Sequence, residues 1–89
     1  MYSQEFLRAM EEALLYRRTS KERILREGGQ QALSHSQKDI VRITLALKRI
    51  RQKQYGLCLE CGVPISTERL RLIPETPSCI ECAQKVEAR

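Results

Sequence analysis

Tryptophan is missing from this 89-residue chain, and phenylalanine and histidine occur once each. Three tyrosines and Phe6 cannot fill a thick aromatic core, and a chain this short buries too little surface to do without an added staple. No apolar run approaches the ~20 residues that a membrane span needs, so no membrane partner is expected. The stretch Met1–Met10 mixes Glu5 and Arg8 into its apolar residues, unlike a signal peptide. A reducing, cytoplasmic setting is the expectation, and there paired cysteines favour a metal over a disulfide. The single histidine, His35, falls far in sequence from every cysteine and reads as an exposed capping-region residue, not a ligand. There is no Ser/His/Asp set, no glycine-rich phosphate loop and no His-containing metal motif. Nothing supports an enzyme.

Glycine and proline are scarce as well, four and three residues, and apart from Gly28 and Gly29 they all lie beyond residue 55. The first part of the chain therefore reads as two helices. One runs from about residue 3 to 27, with Leu7, Met10, Leu14 and Ile24 near heptad seam positions and Phe6, Ala13 and Leu25 widening the stripe. Arg17 and Lys21 interrupt that seam, which predicts looser pairing in the second half. Gly28-Gly29 should end the helix. The second helix is expected over about 34–54. Ser34-His35-Ser36-Gln37 has capping-box form, Ile40, Ile43, Leu47 and Ile50 make a clean seam with Val41 and Leu45 on its flank, and Gly56 closes it. Joined by a Gly-Gly-Gln-Gln link, two such helices should fold back as an antiparallel hairpin. The sequence leaves open whether the hairpin closes within one chain or between two.

All four cysteines fall in the remainder: Cys58-Leu59-Glu60-Cys61, seventeen residues, then Cys79-Ile80-Glu81-Cys82. Two residues between thiolates let each pair grip one side of a tetrahedral ion, while the loop brings the pairs together. Gly62 suits the tight knuckle after the first pair. Two disulfides fit the count but not the compartment; a redox CxxC lacks its βαβ context; an iron–sulfur cluster shares the ligand set. Four soft thiolates with no open position best suit one structural Zn²⁺ held by Cys58, Cys61, Cys79 and Cys82. A short last helix is expected from Ser78, where Ser78-Cys79-Ile80-Glu81 has capping-box form. The expected fold is mostly α: an antiparallel hairpin (coiled coil) over 1–54, then a small four-cysteine zinc finger with a terminal helix over 55–89.

The net charge of +5 is concentrated. Residues 28–55 carry Lys38, Arg42, Lys48, Arg49, Arg51 and Lys53 against Asp39 alone, while the flanking segments nearly balance. These six cations are the candidate partner-binding residues. Their surface would suit an acidic protein face or nucleic acid, and a merely solvated helix face is the bland alternative. With little aromatic surface and no finger helix rich in base-reading side chains, direct sequence-specific DNA binding is not expected.

Tyr55-Gly56-Leu57-Cys58-Leu59-Glu60-Cys61-Gly62-Val63-Pro64-Ile65, Arg69-Leu70, Pro74 and Cys79-Ile80-Glu81-Cys82 closely resemble the zinc finger of the DksA/TraR family of bacterial regulators. The basic helix before them resembles the second arm of that family's coiled-coil hairpin; residues 1–36 resemble it in helical character only. The resemblance implies RNA polymerase as partner, with the hairpin entering the secondary channel and initiation modulated from there, often together with ppGpp. Long members carry an Asp-x-x-Asp-x-Ala pattern at the hairpin tip. No such run exists here, and Gly28–His35 holds no acid. The lysine after the last zinc cysteine of long members corresponds to Ala83, which argues against a ppGpp response, although Lys38 and Arg42 lie on the matching helix. The alternatives are a basic zinc module that binds nucleic acid, and a family-like scaffold without polymerase activity.

Overall fold

The computed structural model describes residues 2–27 and 30–87. Four helices follow in order: α1 (Gln4–Glu27), α2 (Gln30–Arg51), α3 (Thr67–Leu72) and α4 (Ile80–Glu87). Ser3 starts α1 by accepting the Phe6 amide on its Oγ at 3.1 Å, while its carbonyl takes the Leu7 amide at 3.0 Å. The fold is mostly helical, as its residues predict, and α1 and α2 pack against each other as the expected hairpin.

Several boundaries differ from the sequence reading. Helix α2 begins at Gln30, so Ser34, His35, Ser36 and Gln37 lie inside it and Ser34 does not occupy a cap position. The local serine signal loses because the preceding turn of backbone continues the same helix into the hairpin. The link shrinks to Gly28 and Gly29, which lie outside the described residues. The far end also moves. Helix α2 stops at Arg51, with the Lys53 amide on the Ile50 carbonyl (3.2 Å) and the Gln54 amide on the Arg49 carbonyl (2.9 Å). That pair of bonds is a Schellman motif, with Lys53 as its left-handed residue at φ 61°. A side chain there is strained, so Lys53→Gly is expected to stabilise the chain by about 1 kcal/mol, read as a raised urea midpoint. No gain would mean that the turn is held by something other than its own backbone.

Gly56 does not close α2. Its φ is 88°, and an added Cβ would collide with the Tyr2 ring at Cε2. The Tyr2 hydroxyl donates to the Ile65 carbonyl at 2.6 Å, with the Gly56 carbonyl as second acceptor at 3.0 Å. Burial raises the Tyr2 phenol above its ordinary value, which keeps it a donor. Tyr2 also stacks on Phe6, their centroids 5.4 Å apart, so the start of α1 is clasped to the segment entering the finger. Tyr2→Phe should cost about 1 kcal/mol by chemical denaturation, because two carbonyls lose their donor. An unchanged midpoint would mean that water serves them equally well.

The core is shared. Met10 and Leu14 of α1, and Ile43, Ala46 and Leu47 of α2, are buried with Tyr55, Cys58, Ile65, Leu70 and Cys82. Val41 and Leu45, expected to flank the seam, stay outside it. Among the described residues the buried seam of the hairpin lies in its finger-proximal half. From Leu14 to Glu27 the hairpin projects about 20 Å beyond the core, at a rise of about 1.5 Å per residue. Arg17 and Lys21 are not simply breaks in the seam. Lys21 pairs with Asp39 across the helices at 3.1 Å, and Arg17 reaches Glu75 of the finger at 2.7 Å.

Candidate metal centre

Each cysteine pair is presented by a different local device. After α2 the chain turns through Tyr55 and Gly56 into a bridge between Leu57 and Pro64. The Cys58 amide donates to the Val63 carbonyl at 2.8 Å, and the Gly62 amide returns to the Cys58 carbonyl at 2.9 Å. Gly62, at φ 77°, supplies the left-handed residue that this knuckle needs. The second pair sits at the start of α4. The Cys79 carbonyl accepts the first helical bond from the Ala83 amide at 3.0 Å, so Cys79 is the cap residue and Cys82 lies one turn on, over the same face. Ser78 lies before the cap, and its carbonyl has another task.

That task belongs to Arg69. Ser66 caps the short helix α3 by accepting the Arg69 amide at 3.2 Å. From α3, Arg69 Nε donates to the Ser78 carbonyl at 3.1 Å and its Nη2 to the Thr76 hydroxyl at 3.4 Å, while Thr76 Oγ1 donates to the same Ser78 carbonyl at 3.1 Å. The Leu59 amide meets the Pro77 carbonyl at 2.9 Å. The strap 76–78 thus ties the first knuckle to the second and delivers Cys79. Sequence reasoning passed over both α3 and this use of Arg69, although Ser66 followed by Glu68 was a helix-start signal. Leu70, the neighbour of Arg69, points the other way and is fully buried.

The four Sγ atoms lie within 4.8 Å of one another, and Cys61 Sγ is 3.7 Å from Cys79 Sγ. A tetrahedral zinc with bonds of about 2.3 Å sets its sulfurs roughly 3.8 Å apart. The residues fit the ion. The Cys58 thiol is lowered to about 6: its burial opposes ionisation, but backbone amides of Cys79, Cys61 and Glu60 bond the thiolate. Cys82 is pushed well above its ordinary value, first by its contact with Cys79 and then by the other two sulfurs. Crowded thiols cannot all ionise unaided; a dication removes that conflict. With four protein ligands the centre holds one structural Zn²⁺ and has no position left for substrate.

Of the six candidate partner residues, Lys38, Arg42, Lys48 and Arg49 share one side of α2 by their helical spacing. All six follow α2 and the turn after it, Lys38, Arg42, Lys48, Arg51 and Lys53 exposed and Arg49 half-buried. His35 lies within α2, away from the cysteines in sequence, and its side chain falls outside the described residues. Among the described residues no helix is long and apolar enough to cross a membrane.

Comparison with known proteins places this geometry among relatives. The prokaryotic dksA/traR C4-type zinc finger matches residues 53–88. Over 54 residues the chain is 39% identical to the RNA polymerase-binding transcription factor DksA of Buchnera aphidicola, covering 61% of this chain and 36% of that one. The chain thus spans about a third of the length of the curated relatives it matches. Among solved structures, the DnaK suppressor protein of Agrobacterium tumefaciens superposes with a TM-score of 0.78 at 26% identity, covering 88% of this chain and 91% of that one. Transcription factor DksA2 of Pseudomonas aeruginosa gives 0.76 at 25% identity over 98% and 87%.

Proposed function

We propose that this chain, whose residues 53–88 match the prokaryotic dksA/traR C4-type zinc finger, is a cytoplasmic bacterial transcription regulator of that family that binds RNA polymerase directly, in the manner of a secondary-channel factor, and modulates initiation. One observation carries the reading: a slender two-helix arm projects about 15 Å past the finger, from Arg17 to Glu27 of α1, a shape suited to entering a channel. The zinc serves as scaffold, fixing the base from which α1 and α2 extend. Lys38, Arg42, Lys48, Arg49, Arg51 and Lys53 supply the charge that meets the partner, because polymerase-sized assemblies are approached first through complementary potential.

Pull-down of the zinc-loaded chain with core polymerase tests the reading, together with competition by another secondary-channel factor. Micromolar or tighter binding that the competitor displaces is expected. Absence of binding at micromolar concentration rejects it. Because Ala83 stands after the last cysteine, binding is expected to be the same with and without ppGpp.

A further inference from the structure

We propose that the cleft at the base of the hairpin binds a small carboxylate with an apolar body, of the arylalkyl type. Tyr2, Gln4 and Leu7 line it from the start of the chain, Ile50 and Lys53 from the end of α2, and Tyr55 from the entry to the finger. Its volume is about 310 Å³, at the lower end for a small-molecule site. The walls are held in place by the fold itself. Tyr2 is fixed by its hydroxyl on the Gly56 and Ile65 carbonyls and by its stack on Phe6. Tyr55 is buried, and its hydroxyl donates to the Pro74 carbonyl at 2.8 Å. Leu7 and Ile50 pack partly against the shared core and add aliphatic surface to the two rings. Walls already ordered leave a ligand little to immobilise on binding.

Lys53 supplies the one charge in that lining, and no acid stands in it. Among the described residues its ammonium makes no salt bridge. Lys53 also occupies the left-handed position of the Schellman turn, at φ 61°, where glycine is the unstrained choice. Strain of this sort gathers at ligand clamps, where a side chain is needed at a place the backbone would give to glycine. Gln4 brings an amide that can donate to a second carboxylate oxygen. An ammonium and an amide beside two rings and two aliphatic side chains match an anion that carries a ring of its own. An inorganic anion would leave Leu7, Ile50 and the rings uncovered, so the apolar body is part of the match. The inference does not depend on the polymerase reading.

The test is NMR titration of the full zinc-loaded chain with hydrocinnamate. Its neutral amide is the control for charge, and acetate the control for the apolar body. Saturable shifts centred on the residues that line the cleft are expected, with a Kd of about 1 to 10 mM for so small a ligand. The amide and acetate should each bind roughly tenfold more weakly. Lys53→Gly should weaken hydrocinnamate by roughly tenfold while raising the urea midpoint, and a lysine with a structural role alone would not show that pairing. Absence of saturation by about 30 mM, equal binding of the amide, or unchanged affinity in Lys53→Gly overturns the proposal.

Discussion

Removing the metal is expected to unfold residues 56–89, whether by a chelator or by Cys58→Ser or Cys82→Ser. Structural zinc contributes roughly 10 kcal/mol or more of binding free energy in small fingers, more than a chain this size has in reserve. The finger has little else to replace it: one bridge, two short helices and a strap held by Arg69. The damage should not stop there. Leu14 and Ile43 lie in one buried cluster with Ile65, Leu70 and two of the cysteines, so losing the finger exposes the base of the hairpin. Two helices of this length are marginal without tertiary support, and part of the helical circular dichroism should go too. Metal analysis with proton–nitrogen spectra reads the result. A metal-free chain that kept native dispersion would refute the prediction.

The second large effect is expected at Arg17. Its guanidinium is half-exposed, but Glu75, which it meets at 2.7 Å, is only 4% exposed, and Glu75 Oε1 has no partner among the described residues. Arg17→Ala leaves a buried carboxylate without its counter-charge. Breaking such a pair costs about 3–5 kcal/mol, and the lower end, about 3 kcal/mol, applies because the arginine is partly solvated. Glu75→Gln removes the charge itself and should cost only about 1 kcal/mol. In the Glu75→Gln background Arg17→Ala should then cost little, so the double-mutant cycle exposes the coupling. Urea denaturation of the four proteins measures it. A cost below about 0.5 kcal/mol for Arg17→Ala would mean that water already satisfies Glu75.

Arg17 also shows where sequence reasoning stops. Within a heptad pattern a cation at a seam position is a defect, and nothing local reveals that its partner lies fifty-eight residues away in the finger. The metal site is the opposite case. Its ligands declare themselves by residue type and spacing, since only a few residue types bind zinc and a Cys-x-x-Cys pair can grip only one side of an ion. Ser34 and Ser78 misled for a third reason. A serine followed by a glutamine or glutamate three residues on can cap a helix, but the motif is used only where the backbone actually turns.

What the amino-acid order settled alone is therefore the local and the chemical: two amphipathic helices broken at Gly28-Gly29, a cysteine quartet suited to zinc, and a basic second helix. These follow from periodicity, ligand chemistry and charge, which do not depend on distant neighbours. Tertiary structure decided the rest. It gave α2 its true ends, turned Gly56 into a seat for the Tyr2 ring, recruited Arg17 and Arg69 as ties between hairpin and finger, and left Val41 and Leu45 facing outward. Each of these rests on a contact between segments far apart in the chain, and such contacts are set by how the whole core packs, not by the residues on either side.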